Sequence, residues 1–356
     1  GLTVTRRFGG VALRLARPRS SAVLRPRDVV VCAALGLAAL LALAVDVSIG
    51  DYGIPVAEVV RTVVGAGAPD TTFVVVELRL PRALTGLLVG AAFGLSGAIV
   101  QSLARNPLAS PDVIGITAGA STAAVAVIVL GGAGWLGGLG TTGAALLGGF
   151  ATALAVYLLA WRRGVLGYRF VLVGIGVTAV LTSITSYLLV QAELTDAQRA
   201  TVWLTGSLNG RGWEHVRPVA AVLLVLVPAA LLLGRRLAVL RFGDDTATGL
   251  GISVERSRLG LIGIGVALAG VATASAGPVA FVALVAPQIA RRLTGSSGVP
   301  LLSGALTGAF VVVASDIVAR RALAPTELPV GIVTALIGAP FLLWLLARAN
   351  RLGAGG

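Results

Sequence analysis

Ten apolar runs constrain this chain more than any other feature of its sequence. Each run is close to the roughly 20 residues that a helix needs to cross the hydrocarbon core of a bilayer. Short polar segments separate the runs, so the sequence predicts an all-α integral membrane protein with ten transmembrane helices. The predicted spans cover residues 29–45, 83–103, 113–130, 141–160, 170–190, 216–233, 259–276, 278–293, 301–319 and 328–346.

The distribution of charge predicts how the chain is oriented in the membrane. Only 12% of the residues are charged, against about 25% in a soluble domain. The net charge of +13 would suggest a nucleic-acid partner in a soluble chain, but we expect none here. If both termini lie in the cytoplasm, the inner segments hold twenty arginines and the outer segments eight. This asymmetry predicts a multi-pass plasma membrane protein with both termini cytoplasmic.

The same analysis divides the chain into two parts. Residues 1–28 carry seven arginines and are expected to form a basic cytoplasmic tail that is disordered or lies on the surface. Residues 29–351 are expected to form a single membrane domain, which includes a polar cytoplasmic loop at 243–258.

The residue types exclude several functions. All 28 basic residues are arginine, which excludes a phosphate-binding loop ending in Gly-Lys-Ser/Thr. ATP-driven transport would therefore need a separate ATPase. A single cysteine excludes a cysteine-based metal site and an internal disulfide. A single histidine argues against a membrane-embedded enzyme, which would need clustered His, Asp or Glu. A secondary transporter would carry ionisable residues near mid-membrane. Asp316 is the only acidic residue inside a predicted span and lies close to its outer end, so this alternative is weaker.

The second predicted span is rich in small residues. Gly86, Gly90, Gly94 and Gly97 follow one another at spacings of four, four and three. They fall near one face of the helix, where another backbone can approach closely. An Arg-Pro corner lies at each end of this span.

Four blocks of sequence resemble the FecCD or BtuC-type family, the permease subunits of iron-siderophore and vitamin B12 ABC importers. They are L-R-L-P-R at 78–82 with R-N-P-L-A-S-P-D-V at 105–113, G-D-D-T-A at 243–247, A-G-P-V-A-F-V-A-L-V-A-P-Q at 276–288 and residues 315–341. The first and second blocks are most similar to ferric enterobactin permease subunits. The third departs from the family, which usually has Pro-His where this chain has Pro287-Gln288.

The resemblance implies a type II ABC importer permease that performs no covalent chemistry and holds no cofactor of its own. It implies a second permease subunit, identical or paralogous, and two ATPase subunits that bind ATP and Mg. An extracytoplasmic substrate-binding protein would deliver ferric siderophore, and membrane lipid would surround the helices. Vitamin B12 or heme import by the same family is the alternative.

The resemblance also assigns roles to cytoplasmic residues. In loop 243–258 the family docks two short helices into its ATPase, with a Leu-Gly pair as hallmark. Composition alone favours an ordinary solvated loop here. The expected coupling residues are Asp244, Asp245, Thr246, Gly249, Leu250 and Gly251. The first three could cap a short helix, and the two glycines allow a sharp bend after it. The expected gate residues at the inner pore mouth are Asn106, Leu108, Gly167 and Tyr168.

The resemblance also implies that three arginines on the outer face, where arginine is scarce, dock the substrate-binding protein. These are Arg79, Arg82 and Arg320. A planar guanidinium suits a bidentate contact with a carboxylate of the binding protein. The alternative is that each arginine reaches the lipid interface or pairs locally, as Arg320 could with Asp316 four residues earlier.

Overall fold

The structure is a computed structural model that describes residues 2–7, 10–15, 20–50, 52–131, 140–160, 167–295 and 298–353. Three strands precede a series of helices. The strands are β1 (Leu2–Arg7), β2 (Gly10–Leu15) and β3 (Ser20–Leu24). The helices are α1 (Pro26–Ser48), α2 (Val56–Val63), α3 (Pro69–Thr72), a π-helical segment (Phe73–Arg79), α4 (Leu80–Leu103), α5 (Ile116–Val129), α6 (Gly140–Ala160), α7 (Gly167–Gln191), α8 (Leu194–Leu204), α9 (Trp213–Leu240), α10 (Asp244–Gly249), α11 (Val254–Ala276), α12 (Val282–Thr294), α13 (Leu301–Arg321) and α14 (Val330–Gly353).

Eight helices in these described ranges are long and apolar enough to cross a membrane. Each of the ten predicted spans coincides with a helix, but the third and eighth are short. Helix α5 has 14 residues and follows a turn that ends at Gly115, with φ of 90°. Helix α12 has 13 residues and follows Phe281, with φ of 67°. The count of ten crossings therefore stays a prediction.

The N-terminal segment was expected to be disordered or to lie on the surface, and of these alternatives disorder is wrong. β1, β2 and β3 form an antiparallel sheet in which Leu2 pairs with Leu15 and Val11 with Leu24. Apolar residues alternate with polar ones along L-T-V-T-R-R and G-V-A-L-R-L, a period that favours strands over helix. From Pro26 onward, the residues that the structure describes form helices and connecting segments without strands.

Helix α4 is the centre of the fold and packs against α9, α11, α12 and α13. The predicted glycine face is confirmed. A Cβ on Gly90 would overlap the carbonyl of Gly308, and one on Gly94 would overlap the carbonyl of Gly304. Small residues on both helices thus allow the backbones of α4 and α13 to touch.

The helices differ in how much of their surface the fold covers. The apolar stretch of the continuous segment from α3 to α4 is 78% buried, whereas those of α1 and α7 are each 11% buried. Helix α14 is also mostly uncovered, at 28%. The bare faces of α1, α7 and α14 are apolar and suit contact with lipid or with a second subunit.

Candidate functional site

The loop between α9 and α11 contains one short helix, α10. Gly243 precedes it with φ of 121°, and Gly251 follows it with φ of 76°. The predicted bend at Gly251 is therefore present. The predicted capping is wrong, because Gly243 occupies the N-cap and no side chain caps the helix. The second helix expected in this loop is the first turn of α11.

Asp244 binds two arginines instead of capping α10. Its Oδ1 accepts hydrogen bonds from Nη2 of Arg105 and Nη2 of Arg258, both at 2.9 Å. The same nitrogen of Arg105 also donates to the carbonyl of Leu240 at 2.9 Å. Arg105 has φ of 50°, an unfavourable region for a residue with a Cβ. The loop is thus tied directly to the corner that follows α4.

Two apolar side chains of this loop project from the surface. Leu250 is 66% exposed, and Phe242 is 79% exposed. The sequence pointed to Leu250 but missed Phe242, although an aromatic residue at the start of a polar loop was a usable signal. Both side chains belong to the same loop, and a cluster of uncovered large apolar side chains is one mark of a partner contact. Asp245, Thr246 and Gly249 are exposed on the same short helix.

The corner after α4 is an ordered turn. Oδ1 of Asn106 accepts a hydrogen bond from the backbone N–H of Leu108 at 2.9 Å. The side chain of Leu108 is exposed, and that of Asn106 is half-buried. The other two predicted gate residues, Gly167 and Tyr168, begin α7, and their side chains lie outside the described part of the chain.

A buried pair of glutamines joins the same corner to α12. Nε2 of Gln288 donates to Oε1 of Gln101 at 2.8 Å and to the carbonyl of Pro107 at 3.0 Å. Nε2 of Gln101 donates in turn to the carbonyl of Leu284 at 2.9 Å. Gln288, where the family resemblance leads one to expect histidine, thus provides an amide link that carries no charge at any pH.

Asp112 lies farther along the same inner segment, before α5. Burial raises the pKa of its carboxyl to about 6, although a 2.7 Å hydrogen bond from the hydroxyl of Thr117 acts in the opposite direction.

At the other end of α4, Arg79 is bound within the fold. Its Nη1 donates to the carbonyls of Val47 and Ser48, at 3.2 and 3.3 Å, and its Nη2 donates to the carbonyl of Tyr52 at 2.6 Å. The residue is 9% exposed. Arg79 therefore holds the end of α1 and the segment after it against the start of α4.

Arg82 and Arg320 belong to an ion-pair cluster with Asp46, Asp316 and Glu327 near this end of α4. Arg82 binds both carboxylate oxygens of Asp316 at 3.0 Å and Glu327 at 2.7 Å. Arg320 binds Asp46 at 3.2 Å and approaches Glu327 at 3.5 Å. The local Arg320–Asp316 pairing considered from the sequence is wrong, because α13 directs Asp316 toward α4 and Arg320 toward α1.

Within the described ranges, no group of three or more His, Cys, Asp or Glu side chains could hold a metal ion. These residues instead form ion pairs that join the loop between α9 and α11 to the corner after α4, and the ends of α1 and α4 to α13.

Comparison with known proteins shows the family to which the chain belongs. The model of the FecCD transport family matches residues 37–348. The chain belongs to the FecCD transport family. Among FecCD relatives, the ferric enterobactin transport system permease protein FepG of Escherichia coli is 44% identical over 302 residues, covering 85% of this chain and 91% of FepG. The achromobactin transport system permease protein CbrC of Dickeya dadantii is 42% identical, covering 89% and 92%.

A solved structure of a metal-chelate type ABC transporter in an inward-facing conformation shares the fold. Its TM-score is 0.79 at 28% identity, and the match covers 89% of this chain and 99% of that one. With eight apolar helices long enough to span a bilayer, this FecCD permease is a multi-pass protein of the inner membrane.

Proposed function

We propose that this FecCD permease imports ferric siderophores as one half of an ABC transporter. The relatives named above carry ferric enterobactin and achromobactin, and 44% identity over most of the chain supports the same class of cargo here. In this proposal the chain makes ten crossings with both termini in the cytoplasm. It pairs with a second permease subunit, and two ATPase subunits bind ATP and Mg below it.

The observation that carries the proposal is the ion pair that binds the exposed loop between α9 and α11 to the corner after α4. Phe242 and Leu250 offer an apolar surface to an ATPase, and Asp244 connects that surface to Arg105. Closure of the ATPases would move α10 as a rigid body, and the ion pair would pull on the corner that holds Asn106. The Gln101–Gln288 link would pass the same motion to α12.

The gate follows from this arrangement. Asn106 and Leu108 of each subunit would narrow the inner pore mouth, with Gly167 and Tyr168 at the start of α7 beside them. The exposed side chain of Leu108 fits this role, because a buried one could not meet its counterpart from the second subunit.

The substrate-binding protein would dock at the outer ends of α4 and α13. Arg79, Arg82 and Arg320 remain our candidates for this surface. Because their guanidinium groups already bind carbonyls and carboxylates of the fold, their contribution would be to hold the outer segments in the shape that the binding protein recognises.

Replacing Gly251 by tryptophan tests the coupling role. The left-handed backbone at Gly251 and the open space around it place a bulky side chain at the proposed ATPase surface. We expect the purified variant to lose its ATPase subunits and its uptake of ferric siderophore. Gly65→Trp is the matched control, because Gly65 has φ of 84° and open space but lies on the outer side. Normal ATPase assembly and normal uptake in the Gly251 variant would contradict the proposal.

A further inference from the structure

A cavity of about 700 Å³ opens at the outer end of the helix bundle. It lies between α8, the segment that joins α8 to α9, and the segment that precedes α14. Its polar lining comes mainly from Gln198, Arg199, Ser207, Asn209 and Arg211, and Trp203 adds an aromatic face. A ligand the size of a drug molecule typically occupies 300–1,000 Å³.

The charge that this cavity offers to a ligand is positive. Its one carboxylate, Glu327, is already bound by Arg82 at 2.7 Å and approached by Arg320 at 3.5 Å. Arg199 pairs only loosely with Asp196, at 3.6 Å within α8, and its side chain is 77% exposed. Such a pair is weak and easily exchanged for another anion.

Arg211 is held in place for binding. Its Nε donates to the carbonyl of Ser207 at 3.2 Å, and its Nη1 lies 3.0 Å from Nε2 of His215. Among the described residues none accepts a hydrogen bond from its Nη2, which is left for a ligand. Burial lowers the pKa of Arg211, but a guanidinium stays charged at any physiological pH.

The backbone around Arg211 is also fixed. The N–H of Ser207 donates to the carbonyl of Ala276 at 2.9 Å, and the N–H of Gly331 donates to the carbonyl of Gly206 at 3.1 Å. Three separate segments therefore meet beneath the cavity. A site that is ordered before the ligand arrives loses less entropy on binding.

We propose that this cavity is the outer subsite for anionic ferric chelates, with Arg211 and Arg199 recognising the negative ligand shell. Ferric iron held by three catecholates, each with two negative charges, is a trianion, whereas iron held by three hydroxamates is neutral. The arginines would bind the catecholate oxygens through charge-assisted hydrogen bonds, and Trp203 would contact the flat rings. The inference rests on the proposed function and specifies its substrate class.

The test uses the complete transporter with its ATPases and binding protein in proteoliposomes, and ferric tris-catecholate as the probe. We expect Arg211→Gln to reduce uptake about tenfold and Arg199→Gln to reduce it less, since a hydrogen bond from a charged group is stronger than a loose exposed pair. Arg211→Lys should recover part of the loss. Arg61→Gln, which removes an exposed outer arginine away from the cavity, is the control.

Stimulation of ATP hydrolysis by the loaded binding protein should stay unchanged in these variants, which shows that docking is intact. Wild-type uptake by both Arg211→Gln and Arg199→Gln would overturn the subsite. So would a parallel loss of ATPase stimulation, because that result would assign the arginines to docking. Failure of the unmodified complex to carry any ferric siderophore would instead refute the proposed function.

Discussion

The contacts of Asp244 allow the coupling route to be tested without unfolding the protein. The chosen change is Arg105→Gly, which removes the guanidinium that binds Asp244. Both side chains are about half exposed, at 46% and 40%, so the pair contributes roughly 0.5–1 kcal/mol. Glycine also relieves the left-handed backbone at this position by about 1 kcal/mol, and its own flexibility costs about 0.5–1 kcal/mol. The net change in stability is therefore within about 1 kcal/mol.

The expected result is a loss of coupling in a folded transporter. A coupling free energy of 0.5–1 kcal/mol corresponds to a roughly two- to fivefold fall in siderophore imported per ATP hydrolysed. Asp244→Asn should lower this ratio too and should also destabilise the fold by about 2 kcal/mol, because Arg258 is only 8% exposed and loses its carboxylate.

The assay measures uptake and ATP hydrolysis together in proteoliposomes, and thermal unfolding in detergent. Arg236→Gln is the control, since it removes an exposed arginine at the inner end of α9. An unchanged ratio of uptake to hydrolysis in Arg105→Gly, at unchanged thermal stability, would refute the route through Asp244.

Three further predictions concern stability in detergent. Gly94→Val should lower it by about 3 kcal/mol because the new side chain overlaps a facing carbonyl, whereas Gly36→Val, which meets open space, should not. The raised pKa of Asp112 means that its carboxyl stays protonated to a higher pH in the folded protein than in the unfolded chain, so stability falls as pH rises from about 4 to 6. Asp112→Asn should remove this fall and should be more stable than the wild type by about 2 kcal/mol above pH 6. Arg82→Gln should lower the free energy of unfolding by about 3 kcal/mol, because it leaves the carboxylate of Asp316, which is only 1% exposed, without this partner. Adding Asp316→Asn should restore most of the lost stability, and additive effects of the two changes would contradict the ion pair.

Much of the fold could be predicted because the bilayer imposes a simple pattern. The apolar runs located every long helix, and the spacing of Gly90 and Gly94 located the face that packs on α13. The bend at Gly251 was predictable because a glycine beside a short polar helix permits a positive φ. These features depend on residues close together in the sequence.

The contacts of the arginines could not be predicted in this way. Arg82 is 234 residues from Asp316, and Arg105 is 139 residues from Asp244. The only rule available locally paired Arg320 with Asp316, and the orientation of α13 against two different helices overrides it. The start of α5 was predicted three residues too early, at 113 instead of Ile116, since hydropathy reports apolar character but not where the backbone begins to coil.

Energised uptake by the reconstituted transporter tests the central claim most directly. The permease, with its ATPases and loaded binding protein, would be placed in proteoliposomes with radiolabelled ferric siderophore. The account predicts uptake that requires ATP hydrolysis and the binding protein and that persists when proton and sodium gradients are collapsed. Uptake driven by an ion gradient in the absence of the ATPases would contradict it.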